Sequence, residues 1–502
     1  MYLLGIDIGS TIIKAAIFDL EGNETGSFGV RAEHSTPKPG YYERDMNELW
    51  AANITAIKGA IKCAEIDSKD IVAVSLTGHG NGAHLLDSEK QPVRRTIEGA
   101  DSRGLPYLKV LEDEGYYEKI HPLNMQILWP ALSFVVMRWL KENEPENYYK
   151  TRFFLNAHDY VRFKLTGVLC AEITDMSGTG LINTKEQRID REMLNLGGIA
   201  EVADMIPPLV GSFDEAGKIT KDVSELTGLS EGVPVFAGCY DIDAAALATG
   251  SVDETRICII AGTWANNQFI GKAPVVAKEF FSTTVFSRPG YWLMLEGSPT
   301  SASNLEWFVE QFLQEERKLA KAAGLSVYDL CNNAIHDTST EETDLIYLPF
   351  LFGSNVNPVA QASFIGLQGW QDRKHVIRAI YEGICFSHRY HIEKLLKHLA
   401  PPEAARIAGG ASKSYEWAQM FADVLQMPIE LPKTSELGTL GAVICAAVGA
   451  GYYPNVDDAV AGMVKISGVV TPDKNKKEAY DKKYSRYIQA INVLDNYWNQ
   501  KG

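Results

Sequence analysis

A short apolar strand that ends in glycine and hydroxyl residues occurs twice in this chain, once near the start of each half. The first copy spans residues 4–11 (LGIDIGST), and the second spans residues 257–263 (ICIIAGT). A turn of this kind presents backbone N–H groups that can bind an anion. The repeat predicts that the chain folds as two related domains.

The segments between these turns alternate between strand-like and helix-like patterns. Residues 71–76 form a β-branched run that ends at Thr77 and Gly78, as a buried strand does. Before it, Asp45 and Glu48 open a stretch with apolar residues at helical spacing and a start like a capping box, and residues 375–399 repeat that spacing. This alternation predicts an α/β fold.

The composition excludes several classes of protein. The chain has 502 residues, with 48 Lys and Arg against 64 Asp and Glu, so its formal charge is −16. Such an acidic chain is not expected to coat nucleic acid or anionic lipid. It has no apolar run that predicts a membrane span, and we expect no signal peptide. Its seven cysteines lack CxxC spacing, which favours buried reduced thiols and a cytoplasmic location.

The first glycine turn lies in residues 5–14 (GIDIGSTIIK). It is neither a GxGxxG dinucleotide loop nor a Walker A loop, and the apolar residues after it predict a second strand and therefore a hairpin. A carboxylate at Asp7, hydroxyls in the turn and Lys14 on the returning strand would suit a phosphate and its Mg²⁺. An ordinary hairpin with a satisfied aspartate is the alternative.

A carboxylate follows the apolar run in residues 232–247. Asp241 lies where the strand ends and a helix of small residues begins, so it is either a helix cap or a general base in a crevice at the strand's carboxyl end. Asp243 competes for the same role.

A glycine pair, Gly409 and Gly410, separates a short strand from a helix that contains Trp417. Glycine lets the backbone approach a flat ring closely, and the N-terminus of the helix would face the same crevice. A tight turn beside a core tryptophan is the alternative.

These segments, in this order, resemble the motifs of the FGGY carbohydrate kinases, which belong to the actin, Hsp70 and hexokinase ATPase superfamily. Residues 362–367 and 375–382 are similar to the family's C-terminal signature. The resemblance implies two ribonuclease H-like domains with the active site in a cleft between them. Residues 1–248 would bind the acceptor sugar and carry the catalytic aspartate and first phosphate motif, and residues 249–502 the second phosphate and adenosine motifs.

The resemblance also implies a role for individual residues. Asp241 would be the general base and Asp7 the Mg²⁺ ligand of an enzyme that uses ATP. The implied ATP-binding residues are Gly9, Ser10, Thr11, Lys14, Gly262, Thr263, Gly409, Gly410, Ala411 and Ser414. The candidate acceptor contacts, each with a structural role as its alternative, are His79, Asn81, Asp101, Arg103 and Trp129.

Two positions depart from the family pattern. Residues 353–358 (GSNVNP) lack both charges of the family's Gly-Glu-Arg-x-Pro loop, so their contact with phosphate stays open, and Arg138 takes the place of a frequent lysine. Residues 126–129, 158–160 and 298–307 look most like those of bacterial L-xylulose kinases, which act on L-xylulose or 3-keto-L-gulonate.

Several alternatives remain. The acceptor could be D-xylulose, L-ribulose, glycerol or a tetritol, or the protein could use ATP as a conformational switch, as actin does. A dehydrogenase is disfavoured because the GxGxxG loop is missing. His388 and His391 have a spacing that could bind zinc, but no third ligand is evident, so we expect a structural pair. The assembly state stays open, with a homodimer as one option.

Overall fold

The computed structural model describes residues 1–434 and 436–500. They divide into two compact units. The first contains Met1–Val252, Ile270–Met294 and Glu436–Val464. The second contains Asp253–Phe269 and, of the described residues, 295–434 and 465–500. The predicted division of functions at residue 248 stays a prediction, and the units themselves are built from interleaved segments.

The first unit contains a six-stranded mixed sheet. Its strands lie in the order Glu215–Lys218, Pro234–Tyr240, Ile71–Gly78, Tyr2–Ile8, Ile12–Phe18 and Glu24–Arg31. The first glycine turn closes the predicted hairpin, with Ile8 opposite Ile13. The strands Tyr2–Ile8 and Pro234–Tyr240 both run parallel to Ile71–Gly78. Their carboxyl ends therefore meet at one edge of the sheet.

Helices cover this sheet. The predicted helix spans Met46–Ala64 and begins where the Asp45 side chain accepts the N–H groups of Asn47 and Glu48. Its apolar face, which includes Leu49 and Ile57, joins the strand residues in one core. The other helices of the unit, with 3₁₀ turns included, are Ser68–Asp70, Leu105–Asp113, Tyr116–Lys119, His121–Asn124, Ser133–Asn143, Pro145–Lys150, Ala157–Thr166, Ile173–Gly178, Arg191–Leu196, Ala200–Asp204, Lys221–Thr227, Asp241–Thr249, Leu437–Gly449 and Val456–Met463. Its short strands are Glu43–Arg44, His84–Leu86, Thr96–Ile97, Phe153–Leu155, Ala171–Glu172, Leu209–Val210 and Ser282–Val285.

The helix Leu437–Gly449 lies far along the chain from the strands that it covers. It contacts the strands Tyr2–Ile8 and Ile71–Gly78 and the helix Asp241–Thr249. A Cβ atom on Gly5 would lie 2.2 Å from the Thr439 carbonyl oxygen, and one on Gly441 would lie 2.3 Å from that of Ala244. Glycine is required at both positions because the backbones approach so closely.

The second unit is built around the second glycine turn. Six successive strands of its sheet are Trp292–Ser298, Ala265–Gly271, Arg256–Ala261, Ala404–Gly409, Ile429–Pro432 and Ile466–Val470. In both sheets the strand before the glycine turn has the returning strand on one side and a parallel strand from later in the chain on the other. This shared order confirms the prediction of two related α/β domains.

Helices of the second unit follow the same alternation. The predicted helix of residues 375–399 spans Arg373–Leu396, and the helix after the glycine pair spans Tyr415–Leu425. The remaining helices and 3₁₀ turns are Ser303–Phe312, Gln314–Ala322, Val327–His336, Gly410–Lys413, Lys474–Lys476 and Lys477–Asn499. Two short strands are Ile346–Leu348 and Ser363–Ile365.

The cysteines depart in one respect from the prediction of buried thiols. All seven are free, and six are buried, but Cys63 is exposed. It lies in the last turn of Met46–Ala64, outside the apolar face of that helix. Among the helices of residues 1–434 and 436–500, none has the length and apolar character that crossing a membrane demands.

Candidate active site

Two carboxylates, those of Asp7 and Asp241, lie at the edge of the first sheet where the parallel strands end. Asp7 lies near the end of the strand Tyr2–Ile8, and Asp241 is the first residue of the helix that follows Pro234–Tyr240. Burial raises the pKa of Asp241 to about 6, against the lowering effect of the His79 charge. Burial, and next the charge of Asp241, raise the pKa of Asp7 to about 7. The two carboxylates therefore repel each other, and burial limits their solvation. Carboxylates that bind a cation or accept a proton often have pKa values raised in this way.

The competing carboxylate, Asp243, is engaged elsewhere. It is fully buried, and its Oδ1 accepts the Ser287 N–H at 2.8 Å and the Ser287 hydroxyl at 2.9 Å. Burial, with the charge of Glu172, raises its pKa well above the usual value. Asp243 is therefore bonded within the fold, whereas Asp241 is the partly exposed member of the pair.

Glu436 and Gly438, which the sequence analysis missed, lie beside Asp7. Lys14, a predicted ATP ligand, donates from Nζ to both carboxylate oxygens of Glu436, at 2.9 and 2.8 Å. A Cβ atom on Gly438 would lie 2.2 Å from Asp7 Oδ2. The helix Leu437–Gly449 thus starts against the Asp7 carboxylate. The glycines at 438 and 441, three positions apart, were the available sequence signal for a closely packed helix.

Contacts within the first unit fix the backbone of the first glycine turn. Gly9 cannot carry a side chain, because its Cβ would lie 2.3 Å from the Ile12 carbonyl oxygen. The buried Arg44 donates from Nη2 to the Ser10 carbonyl oxygen at 2.8 Å. Ser10 and Thr11 are exposed. The turn therefore has a fixed backbone and two hydroxyls that face solvent.

His79 belongs to a buried charged group with Glu98 and Arg44. Its Nε2 lies 3.2 Å from Glu98 Oε2, and Arg44 Nη2 lies 3.3 Å from the same oxygen. Burial raises the pKa of Glu98, but the charge and hydrogen bond of His79, with Arg44, outweigh it and lower that pKa. Glu98 therefore stays ionised and orients His79.

The other predicted acceptor contacts are largely occupied within the protein. The Arg103 guanidinium donates to Asp101 Oδ1 at 2.9 Å and Oδ2 at 2.8 Å, and both residues are buried. Asn81 accepts the Ser133 N–H at 3.2 Å. Trp129 is half-buried, with its ring centre 5.7 Å from that of Phe281. Their role as sugar contacts stays a prediction.

The second glycine turn and the glycine pair lie together in the second unit. Gly262 and Thr263 connect a hairpin in which Ala261 is opposite Ala265. The strand Ala404–Gly409 runs parallel to Arg256–Ala261 and pairs Gly409 with Ala261. Gly409 has φ 92°, and a Cβ there would lie 2.6 Å from the Ala261 carbonyl oxygen. No other residue type fits this close approach.

A cavity of about 460 Å³ opens beside these glycines. Four of the predicted ATP-binding residues line it: Gly262, Thr263, Gly410 and Ser414. Trp417 also lines it, whereas Gly409 and the buried Ala411 do not. The volume is within the usual range for a small-molecule site.

Part of this cavity was not predicted. Tyr328, Asp329 and Asn332 come from the helix Val327–His336, and Tyr381 comes from Arg373–Leu396. Ser414 joins the two halves of the lining, because its hydroxyl donates to Asn332 Oδ1 at 2.8 Å and accepts the Trp417 N–H at 3.1 Å. No motif marked the helix Val327–His336 in the sequence.

The donor atoms fit Mg²⁺ better than a metal held entirely by protein. Within the described part of the chain, no group of three or more His, Cys, Asp or Glu side chains is arranged to hold a metal ion. Mg²⁺ is instead held by one or two carboxylates together with water and substrate phosphate. Asp7 and Asp241 supply that number of carboxylates.

The family models decide what kind of protein this is. Residues 2–248 match the N-terminal domain, and residues 257–450 the C-terminal domain, of the FGGY family of carbohydrate kinases. The chain belongs to the FGGY family. It is therefore a sugar kinase that uses ATP, which confirms the resemblance stated from the sequence.

Relatives of this FGGY kinase match it over almost its full length. It is 34% identical to the L-xylulose/3-keto-L-gulonate kinase of Escherichia coli K12, over 99% of this chain and 98% of that protein. It is 35% identical to a probable L-xylulose kinase of Haemophilus influenzae, over 99% of both. A solved xylulose kinase from Rhodospirillum rubrum has a TM-score of 0.89 at 23% identity, over 99% of this chain and 100% of that one. A second, from Lactobacillus acidophilus, has a TM-score of 0.91 at 21% identity, over 100% of both. These structures share the two-domain α/β fold of this FGGY kinase.

Proposed function

We propose that this kinase phosphorylates a hydroxyl of a small ketose, with L-xylulose or 3-keto-L-gulonate as the acceptor. The proposal is supported by the full-length relatives at 34% and 35% identity, whose names carry these two sugars. Xylulose kinases at 26% and 27% identity are further away. A difference of this size favours the L-xylulose group over a D-xylulose acceptor.

In the proposed mechanism Asp241 is the general base. It would orient the acceptor hydroxyl and take its proton while the oxygen attacks the γ-phosphate in line. The observation that carries this role is the contrast with Asp243: Asp241 is partly exposed and has a pKa of about 6, whereas Asp243 is fully buried and bonded to Ser287. A base with a pKa near the working pH combines the correct ionisation with useful basicity.

Asp7 would hold Mg²⁺, largely through water, because Mg²⁺ keeps most of its hydration shell. The ion would neutralise charge on the phosphates of ATP. After the larger effects of burial, Asp241 and His79, the Lys14–Glu436 pair also contributes to the field at Asp7, since Glu436 raises the pKa of Asp7 and Lys14 lowers it. The backbone around Gly9 would bind phosphate through its N–H groups, with Ser10 and Thr11 beside it.

The cavity of the second unit would bind the adenosine and the adjacent phosphates. Gly262 and Thr263 would contact phosphate, and Gly410 would let the purine approach the backbone closely. Because the lining is neutral apart from Glu306, Asp329 and Lys413, backbone and hydroxyl groups rather than a basic patch would bind the nucleotide. This answers how a chain with a formal charge of −16 binds a polyanion.

An acceptor panel tests the substrate. ADP release is measured with Mg-ATP and L-xylulose, 3-keto-L-gulonate, D-xylulose, L-ribulose, glycerol or erythritol, and Asp241→Asn is measured beside the parent. We expect the highest kcat/KM with L-xylulose or 3-keto-L-gulonate. A higher value with D-xylulose, L-ribulose or a polyol rejects the proposed acceptor and keeps the kinase.

Nucleotide binding with no acceptor-stimulated turnover would instead support the ATP-switch alternative. A homodimer and a cytoplasmic location stay predictions, which sedimentation and cell fractionation would check.

A further inference from the structure

The helix Arg373–Leu396 carries two fully buried histidines, His388 and His391, that the proposed mechanism does not use. Each contacts a serine: His391 contacts Ser298, the last residue of the strand Trp292–Ser298, and His388 contacts Ser301 in the segment after it. His388 Nε2 lies 2.9 Å from Ser301 Oγ, and His391 Nε2 lies 2.7 Å from Ser298 Oγ. The Nδ1 atoms also have partners, which are Asn267 for His388 and Glu296 for His391. Both nitrogens of each ring are therefore hydrogen-bonded within the protein.

The hydrogen bonds around His388 define its tautomer. Asn267 Nδ2 donates to the Glu296 carbonyl oxygen at 3.1 Å, so Asn267 turns its Oδ1 towards His388. His388 Nδ1 lies 2.8 Å from that oxygen and carries the hydrogen. In the neutral ring, Nε2 is then the acceptor for the Ser301 hydroxyl. Burial lowers the pKa of His388 to about 3, in agreement with a neutral ring.

Ser301 belongs to a segment that holds the second glycine turn. The Ser301 N–H donates to the Thr263 carbonyl oxygen at 3.0 Å, and the Ala302 N–H donates to that of Gly262 at 2.8 Å. The Ser303 hydroxyl donates to the Thr263 carbonyl oxygen at 3.1 Å. Both carbonyl groups of the turn are therefore fixed by three consecutive residues.

We propose that His388 is a positioning residue for nucleotide binding: through the Ser301 hydroxyl it fixes the segment that holds the Gly262–Thr263 turn. Neither His388 nor Ser301 lines the cavity, whereas Gly262, Thr263, Ala302 and Ser303 do. The effect on a bound nucleotide is therefore indirect and passes through the turn. This inference rests on the proposed nucleotide role of that cavity.

The second histidine supplies a matched control. Ser298 and Ser301 are both buried, and each loses one hydrogen bond to a buried histidine when changed to alanine. Ser298 Oγ accepts the Asn355 N–H at 3.3 Å, and its hydroxyl takes no part in holding the turn. The two variants therefore share the loss of a histidine hydrogen bond, to which Ser298→Ala adds the loss of the Asn355 bond, and they differ in their connection to Gly262 and Thr263.

The test measures ADP binding by calorimetry, the KM values for ATP and for the best acceptor, and Tm. Ser301→Ala is expected to weaken ADP binding and raise the KM for ATP by about fivefold, the effect of one hydrogen bond, with the acceptor KM unchanged. Ser298→Ala is expected to lower Tm at least as far while ADP binding stays near that of the parent. If Ser301→Ala does not fold, His388→Asn takes its place, because the shorter side chain cannot reach both Asn267 and Ser301.

Equal losses of ADP binding in the two serine variants, or none in Ser301→Ala, overturn the positioning role. Failure of the parent to bind ADP overturns instead the proposed function of the cavity. The two failures are thus separate results of one experiment.

Discussion

Lys14 Nζ contacts both carboxylate oxygens of Glu436, a residue 422 positions further along the chain. The pair lies beside Asp7, whose pKa Glu436 raises and Lys14 lowers, after the larger effects of burial and of Asp241. A residue that the motif presents as a phosphate ligand therefore also neutralises a carboxylate next to the proposed Mg²⁺ ligand.

Lys14→Met should decrease the Mg²⁺ concentration for half-maximal activity several-fold. Removal of the ammonium leaves the Glu436 charge unbalanced, and the more negative field at Asp7 strengthens the binding of a divalent cation more than that of a proton. The measurement is a Mg²⁺ titration of the initial rate at saturating ATP, with Lys14→Arg as the charge-preserving control. A higher KM for ATP at an unchanged Mg²⁺ requirement would show that Lys14 contacts ATP instead.

Asp241→Asn should reduce kcat by about 10²–10⁴-fold, because the amide cannot accept the hydroxyl proton. Asp243→Asn is the matched control two residues away, on the same helix. Since burial raises the pKa of Asp243 and an amide oxygen can accept the same two Ser287 hydrogen bonds, Asp243→Asn should keep most of the activity. The assignment of the base is wrong if Asp243→Asn is the inactive variant, or if Asp241→Asn stays within a few-fold of the parent.

The pH profile of kcat/KM should fall on its acidic side with a midpoint near the Asp241 pKa of about 6. Activity is lost as pH falls, because the protonated carboxyl cannot act as a base. His79→Gln removes the charge that lowers this pKa, so the midpoint should move to higher pH. A midpoint that stays fixed in this variant would contradict the coupling between His79 and Asp241.

Asp241→Asn should also make the protein more stable at neutral and alkaline pH. The pKa of Asp241 is higher in the folded state than its ordinary value of 3.8, so the parent loses stability as pH rises through this interval. The amide carries no such penalty. Melting curves should show a higher Tm for the variant at about pH 8, and the difference should become small at about pH 3, where the carboxyl is protonated in both the folded and the unfolded parent. Equal Tm differences at both pH values would refute this explanation.

Gly438→Ala should destabilise the fold by about 1–3 kcal/mol, the usual cost of overpacking. The added Cβ would lie 2.2 Å from Asp7 Oδ2, so the helix or the carboxylate must move and the Mg²⁺ requirement should increase as well. Gly468→Ala is the control, since a Cβ there meets no atom within 4 Å. Denaturant unfolding and the Mg²⁺ titration check both effects, and a neutral Gly438→Ala would contradict the close approach.

The sequence predicted those structural features that a single local motif determines. The hairpin around Gly9, the strand-to-helix junction at Asp241 and the turn at Gly262 each require glycine or a carboxylate at a fixed local position. The two-domain fold followed from their repetition and order, and the structure and the family models confirm it.

Other contacts depend on tertiary packing and have no local pattern. Glu436 meets Lys14 only after the helix Leu437–Gly449 packs on a sheet from the other end of the chain. Asn332 enters the cavity from a helix whose sequence resembles any amphipathic helix. Asp101 and Arg103 pair with each other in the fold, which no local pattern predicted, and their contact with the sugar stays a prediction.

The late position of the helix Leu437–Gly449 in the sequence also limits how far the first unit can fold while the chain is being synthesised. The ribosome releases the strands Tyr2–Ile8 and Ile71–Gly78 early, but the helix that covers them emerges only after most of the second unit. Until then Leu3 and Ala73, which lie on the same face of the sheet as Gly5, lack part of their cover, and such nascent apolar surfaces invite chaperone binding or aggregation. A shortened chain of residues 1–252 would keep this defect permanently, so the N-terminal half is not an independent folding module.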